Sequence, residues 1–277
     1  MGLSVVFCTR DRADSLTLAL DRWAGLLDDP SWDLVVVDDG SSDDTWPLLE
    51  ARRLEFQGRI RLEHTSGVGL GAARNIGWRA AGADLVLFTD DDCYPAPDLV
   101  ARIAECFLEK DLAFLGGRLL PFSPEDAEVA VVTRADRVEV TGPCFVPAGL
   151  LPGANLTIRR VALERAGGFD PRFGAGTPFA AEDVELVARL GSLGLRGAFD
   201  PRPIVYHHHG RRTPAAVAGL RASYDWGRGA YYAKCLANPV LRSIYLGAWA
   251  RSLLTGSWRR TSRELAGAWR FWKGRGR

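Results

Sequence analysis

In the first two-thirds of the chain, short and almost unbroken apolar runs alternate with stretches of helical period. Leu3 to Phe7, Leu34 to Val37, Ile60 to Leu62 and Asp84 to Phe88 are runs of the first kind. Between the first two, Leu16, Leu20, Trp23 and Leu27 recur at helical spacing within Asp14 to Leu27. Trp46 to Phe56, Ala72 to Ala81 and Pro97 to Lys110 read as further helices. Strands this apolar need cover on both faces. The pattern therefore predicts an α/β fold, Rossmann-like, with a mostly parallel central sheet and helices on both faces. From Gly116 to Pro152 the pattern breaks into Gly, Pro and short β-like stretches such as Val129 to Val132, which predicts an irregular α+β half. Glu182 to Leu193 predicts a helix, and Ile204 to Tyr206 a late strand. Beyond Pro214, Trp, Tyr, Arg and small residues take over, and a C-terminal helical segment is expected over 214–277.

Bulk composition narrows the class without choosing a function. The chain has 277 residues, 47% apolar and 25% charged, with a formal net charge of +1. That balance gives no overall pull toward nucleic acid, and no nucleic-acid partner is expected. The five cysteines, Cys8, Cys93, Cys106, Cys144 and Cys235, are odd in number and lack CxxC spacing. A disulfide framework or a zinc site is therefore not expected, and reduced thiols point to a cytoplasmic location. Leu3 to Phe7 is too short for a signal-peptide core, and no uninterrupted apolar run reaches membrane-spanning length.

Acidic residues change the picture. Asp38 and Asp39 follow one strand, and Asp90, Asp91 and Asp92 follow another. In an open parallel sheet both sets reach the edge where ligands bind. Successive carboxylates repel and raise one another's pKa. A divalent cation held by oxygen ligands at i and i+2 removes that cost, which suits Mg2+ or Mn2+. The plainer reading is a solvated turn, strongest for Asp38 and Asp39 before Gly40 and Ser41. Glu182 and Asp183 open a helix, where acids are favoured in any case; the functional reading is a general base. Gly67, Gly69 and Gly71 precede Ala72 to Asn75 in a loop able to approach phosphate, without the Lys-Ser/Thr of a P-loop.

Taken in order, these segments resemble the family 2 glycosyltransferases of the GT-A fold, from about residue 3 to about 212. Ser4 to Arg12 is similar to the first-strand motif VSVVIPTYNR. Thr9 and Arg12 match, while Cys8, Arg10 and Asp11 depart from it. Leu34 to Asp43 resembles VVDDGSxD, which implies that Asp39 meets the donor base. Gly69 to Gly77 matches GxxxARNxG, which implies that Arg74 and Asn75 lie near the donor phosphates. Phe88 to Asp92 matches the DxD motif. The resemblance makes Asp92 the direct ligand of Mn2+ or Mg2+ with Asp90 in support, and puts Asp90 and Asp91 on the donor side. Thr9, Arg10 and Asp11 join the expected donor contacts. Gly153 to Asp170 resembles the acceptor-side segment, which implies acceptor contacts at Gly153, Asn155 and Glu182. Glu182 to Leu186 resembles the ED motif, which makes Asp183 the catalytic base. Val205 to His209 ends on a position where some members carry a metal-binding His; of the three, His207 is the candidate.

The implied reaction is metal-dependent transfer of a sugar from a nucleoside-diphosphate sugar to an acceptor hydroxyl, with inversion by single displacement. A UDP- or dTDP-sugar donor is favoured, with a carbohydrate or lipid-linked acceptor. The catalytic domain is expected over 1–213, with its nucleotide-sugar half over 1–115 and its acceptor half over 116–213. A nucleotidyltransferase and a non-catalytic nucleotide-sugar-binding protein are the alternatives. The loop from Cys8 to Asp11 and the intact acidic motifs weigh against them. The tail carries Arg242, Arg251, Arg259, Arg260, Arg263, Arg270, Lys273, Arg275 and Arg277 against one acid, Glu264, with Trp249, Trp258, Trp269 and Trp272 interleaved. Ile244, Tyr245, Ala248, Trp249, Ser252 and Leu253 form a helical stripe. This predicts peripheral contact of 240–277 with the inner face of the cell membrane. The competing reading is a helix pair packed on the catalytic domain.

Overall fold

Alternation within each apolar run divides its side chains between two cores. The computed structural model describes residues 2–274; Arg275 and Arg277 lie outside the described residues. The first elements are β1 (Leu3–Thr9), α1 (Ala13–Ala24), β2 (Trp32–Asp38), α2 (Thr45–Arg52), β3 (Ile60–His64), α3 (Leu70–Ala80) and β4 (Leu85–Asp90). Val5, Phe7, Leu34, Val36, Leu85 and Leu87 point to one face and pack with Leu16, Leu20 and Trp23 of α1. Val6, Val35, Val37, Val86 and Phe88 point to the other and pack with Ala73 and Trp78 of α3. Period-two alternation thus feeds both layers of a covered sheet. The helix expected from Trp46 to Phe56 stops at Arg52 and tightens into a 3-10 turn over Arg53–Phe56.

The second half holds more regular structure than its sequence predicts. It comprises β5 (Cys93–Pro95), α4 (Leu99–Cys106), β6 (Leu112–Pro121), β7 (Val138–Val140), β8 (Leu156–Arg159), α5 (Arg160–Ala166), α6 (Glu182–Ser192) and β9 (Arg196–His207). β6 was hidden by Gly116 and Gly117, which read as breakers. A Cβ at Gly117 would collide with the Asn155 side chain and the Pro203 carbonyl, so the strand needs glycine there. β9 begins eight residues before the expected Ile204 because Asp200 to Pro203 interrupts its apolar pattern. The pairing with β6 shifts register opposite that interruption, between Gly116 and Arg118, which accommodates both prolines. From Val129 to Val132, the β-like stretch forms only an isolated bridge, between Leu119 and Val132.

Among the described residues the strands form one nine-stranded sheet in the order β3-β2-β1-β4-β8-β6-β9-β5, with β7 on β9. The β3 to β4 side is parallel. β8 then runs antiparallel to both β4 and β6. This reversal turns the carboxyl ends of β4 and β9 toward one cleft.

The tail folds back as α7 (Pro214–Ala237), α8 (Arg242–Thr255) and α9 (Trp258–Lys273). Side-chain oxygens of Thr213 and Ser257 cap α7 and α9. Ala230, Tyr231, Tyr245 and Phe271 pack with Phe173, Phe179 and Val184 of the body in a third core. The stripe expected to face a membrane therefore faces inward: Tyr245 is fully buried, and Ile244 and Trp249 pack against the same core. Small residues set the spacing of α7 and α9. A Cβ at Gly229 would collide with the Glu264 carbonyl, and one at Gly267 with the Trp226 carbonyl.

Gly229→Val tests that contact. A helical Gly→Ala change gains up to about 1 kcal/mol in propensity. Valine loses part of that gain to its β-branch and adds overpacking of about 1–3 kcal/mol. The clash dominates, so the urea midpoint should fall at unchanged slope. An unchanged midpoint would show that α9 is not locked against α7.

Candidate active site

The carboxyl ends of β1, β2 and β4 meet at the mouth of a cleft of about 690 Å³. Thr9, Arg10, Asp39, Asp90, Asp91 and Asp92 all line it, together with His207 from the end of β9. Asp91 is the scaffold of the acidic run. Its buried carboxylate accepts a 2.6 Å hydrogen bond from Thr9 Oγ1 and pairs with Arg12 at 3.3 Å. Burial raises its pKa against the pull of Arg12 and Thr9. Asp92 faces the cleft, with its Oδ2 2.9 Å from Arg12 Nη2 and its Oδ1 3.4 Å from His207 Nε2. Burial disfavours the Asp92 carboxylate, but His207 and Arg12 outweigh it and hold the pKa below the usual range. The sequence expectations left Arg12 out of the site, although it matches the first-strand motif.

One ligand atom each from Asp90, Asp92, Cys93 and His207 lie within 4.8 Å of one another. The Cys93 thiol is buried, which pushes its pKa well above the ordinary value, and a hard cation prefers oxygen and imidazole donors to it. Two carboxylates and an imidazole remain, a donor set that suits Mn2+ or Mg2+ better than a thiophilic ion. His207 Nδ1 lies 2.9 Å from the Ala130 carbonyl. A carbonyl can only accept, so Nδ1 carries a proton, and Nε2, which faces Asp92, is the nitrogen that would bind an ion once it gives up its own proton.

The nucleotide side of the cleft is shaped by backbone. Gly69 has φ +86° and N-caps α3, and Gly71 lets that helix approach the carbonyls of Asp170 and Phe173. Asp39 pins this loop: it accepts from Thr65 Oγ1 at 2.6 Å and from the amides of Val68 and Gly69 at 2.7 and 2.9 Å. Asp11, at φ +51°, accepts from the amide and hydroxyl of Ser42, and Arg10 pairs with Asp11 at 3.7 Å.

Two expected contacts lie elsewhere. Asn75 faces away from the cleft. It exchanges 2.8 Å hydrogen bonds with the Phe169 backbone and accepts from Trp78 Nε1, clasping α3 to the segment before Pro171. Asn155, 1% exposed, donates to the carbonyls of Arg118 and Pro203 and ties β6 to β9. Each amide meets buried backbone groups that no strand ladder satisfies, a need invisible in the linear sequence.

On the other side of Asp90, a cavity of about 360 Å³ continues the cleft. Asp90, Glu182, His207 and Tyr224 line both spaces. Arg74 bridges them. Its buried guanidinium donates to Asp90 Oδ1 and Glu182 Oε1, each at 2.9 Å, and to the Gly153 carbonyl at 3.3 Å. Asp183 accepts from the amides of Gly153 at 2.8 Å and Val184 at 2.7 Å. Ala181 sits at φ +100°, a strained conformation just before the two acids. Burial and the Asp183 charge push Glu182 up to about 7 against Arg74. Burial likewise raises Asp183, opposed by Arg74 and the two amides. Tyr224, Arg228 and Tyr231 of α7 line the cavity, while Arg211, Leu220 and Ser223 reach the larger cleft. The helical segment expected to lie outside the catalytic domain thus forms part of the cleft wall.

Residues 4–165 match the family described as Glycosyl transferase family 2, and residues 85–266 match Glycosyl transferase family group 2. Pre-mycofactocin glycosyltransferase of Mycobacterium tuberculosis is 28% identical over 248 residues, covering 87% of this chain and 48% of that protein. The N-acetylglucosaminyl-diphospho-decaprenol L-rhamnosyltransferase of the same organism is 32% identical over 149 residues, 53% of this chain and 44% of that protein. The chain spans about half the length of these curated relatives. The fold matches the mannosyltransferase PcManGT from Pyrobaculum calidifontis in complex with GDP-Man and Mn2+, with a TM-score of 0.66 at 19% identity over 99% of this chain and 79% of that one. It also matches S. aureus TarS 1–349 in complex with UDP-GlcNAc, with a TM-score of 0.66 at 18% identity over 96% and 79%.

His207→Ala and Asp92→Asn each remove one donor from the cation set. Calorimetric titration with Mn2+ should show affinity weakened in both by at least the roughly 10–100-fold that loss of an outer-shell partner costs. An unchanged titration for His207→Ala would return that imidazole to a structural role.

Proposed function

The chain belongs to glycosyl transferase family 2, and from that premise we propose that it transfers a sugar from a nucleoside-diphosphate sugar to an acceptor hydroxyl, with inversion. The observation that carries this reading is the continuity of two chemistries in one cleft. A cation-type cluster of Asp90, Asp92 and His207 opens beside the carboxylate of Asp183, with Arg74 between them. The family match favours glycosyl over nucleotidyl transfer.

Asp90, Asp92 and His207 would hold Mn2+ or Mg2+. The ion, when bound, supplies positive charge that offsets the charge developing on a leaving diphosphate. Mn2+ accompanies GDP-Man in the mannosyltransferase of the same fold, which supports this choice. Asp39 Oδ2 receives one hydrogen bond, from Gly69, and keeps a lone pair for a base N–H. Uracil and thymine each present such a group, as guanine does, so Asp39 is compatible with the UDP- or dTDP-sugar proposed as donor without selecting it. Thr9 and Arg10 line the same cleft, and Asp11, which is outside its lining, pairs with Arg10.

Asp183 acts as the general base, taking the proton from the attacking hydroxyl. Its raised pKa makes it a stronger base than an exposed aspartate. The amides of Gly153 and Val184 fix its orientation. Arg74 lowers the pKa of the neighbouring carboxyls against their burial and holds them in place. Part of the lining of the smaller cavity is apolar, with Val131, Val132, Pro152, Ala181 and Val184. That part suits an acceptor with an apolar portion beside its hydroxyl, which favours a lipid-linked acceptor over a free polysaccharide. One relative's name specifies a diphospho-decaprenol acceptor, and this agrees.

Asp183→Asn should retain donor binding and lose transfer by several orders of magnitude. Loss of nucleotide binding at unchanged rate per bound donor would overturn the assignment. The acid limb of kcat should lie above the ordinary carboxylate range, with activity rising as pH rises and Asp183 ionises. Arg74→Met removes the charge that lowers both carboxyl pKa values, so the limb should move to higher pH; a limb that stays in place would separate Arg74 from the base. For the donor, a thermal-shift panel with Mn2+ should give larger rises with UDP- or dTDP-sugars than with GDP-sugars. A larger rise with GDP-sugars would reject the proposed donor.

A further inference from the structure

Away from the cleft, α9 presents two unlike sides. Its inner side is closed: Glu264, Gly267, Ala268 and Phe271 are buried. Its outer side carries Trp258, Leu265, Trp269 and Trp272, which are 78, 48, 62 and 54% exposed. At 3.6 residues per turn these four fall on one stripe about 60° wide. Arg259, Arg270 and Lys273, all exposed, follow along one flank of that stripe. The Lys273 ammonium sits 3.7 Å over the Trp269 ring. From Leu241 to Gly274 the one acid is Glu264, which is 0% exposed and paired with Arg228 and Arg260 on the inner side. No acidic side chain of the described residues in this stretch reaches the outer face.

We propose that this face of α9 lies on an anionic lipid bilayer. The three indoles and Leu265 enter the boundary between headgroups and acyl chains. Arg259, Arg270 and Lys273 meet the lipid phosphates. Trp and Leu on one side, with cations beside them and no acid, is the composition of an interfacial helix. Charge selects the occupant. A second copy of the chain, joined face to face, would bring two basic rows together, whereas an anionic surface complements them. No helix among the described residues is long and apolar enough to cross a membrane, so the contact is peripheral. It uses residues other than the stripe from Ile244 to Leu253, whose Tyr245 is buried and whose Ile244 and Trp249 pack against the third core. Because α9 packs on α7, and Tyr224 of α7 lines the cleft, the bilayer would hold the cleft in a fixed orientation. This surface does not depend on the proposed transfer reaction.

Vesicle co-sedimentation tests it, with phosphatidylcholine alone and with equal parts phosphatidylcholine and phosphatidylglycerol. The protein should pellet with the anionic vesicles, be released at high salt, and shift its tryptophan emission to the blue. Trp258→Ser/Trp269→Ser/Trp272→Ser and Arg259→Gln/Arg270→Gln/Lys273→Gln should each weaken binding at least tenfold with an unchanged thermal melt. Failure of the unaltered protein to bind would overturn the proposal. So would undiminished binding by the charge variant, whose exposed substitutions leave the packing intact. Light scattering that shows a dimer dissociated by the tryptophan substitutions would also overturn it, and would assign the face to a second copy.

Discussion

Arg74 is a guanidinium at 1% exposure, and three carboxylates surround it. It touches Asp90 at the end of β4 and Glu182 at the start of α6, with Asp183 beside them. Taking these groups out of water is unfavourable unless each finds a partner, and an uncompensated buried charge costs about 3–5 kcal/mol. The arrangement therefore constrains three distant segments at once. α3 must bring Arg74 inward, β4 must end at Asp90, and α6 must begin at Glu182. The cation cluster and the proposed base keep their relative positions because one cation bridges the acids between them. Burial, with the Asp183 charge beside it, leaves Glu182 titrating near neutrality, at about 7, against the pull of Arg74.

The rest of the cleft is built to keep that centre in place. Asp39 holds the glycine loop before α3, and Asn75 holds the other side of the same helix to the Phe169 backbone. Lys234 of α7 makes 2.6 Å ion pairs with both Asp170 and Glu185, fastening the C-terminal helices to α6. α7 is consequently part of the cavity wall, to which it supplies Tyr224 and Arg228. Its other side meets α9 through glycines, which carries the proposed bilayer face to within two helix layers of the chemistry.

Legibility in the sequence followed the range of the forces involved. β1, β2 and β4 were readable because each is buried on both faces, which writes an unbroken apolar run. β6 was not, and β9 was readable only at its Ile204 to Tyr206 end, because glycine and proline at their centre serve contacts with Asn155 and with each other rather than local propensity. Thr9 and the Asp90 to Asp92 run were legible as chemistry at strand ends. Asn75 and Asn155 carried the same motif signal, yet their amides close backbone hydrogen bonds across the fold. A motif reports which side chain is needed and leaves open whether a ligand or a carbonyl needs it.

By itself, the sequence determined the α/β layering, the edge of the sheet where the acids gather, and the basic, tryptophan-rich character of the tail. These follow from local periodicity and composition, which act over a few residues. Tertiary structure alone decided that Arg74 sits between Asp90 and Glu182, and that His207 faces Asp92 with its Nδ1 proton held by Ala130. It also decided which stripe of the tail turns outward. Helical spacing marked Ile244 to Leu253 as an apolar stripe, but Phe173, Phe179 and Val184 offered it a core to pack on. The indoles of α9 remained outside because Gly267, Ala268 and Phe271 already filled the inner side. Which of two apolar faces is buried is set by the shape of the surface that receives it, and that surface is assembled from residues far away in the chain.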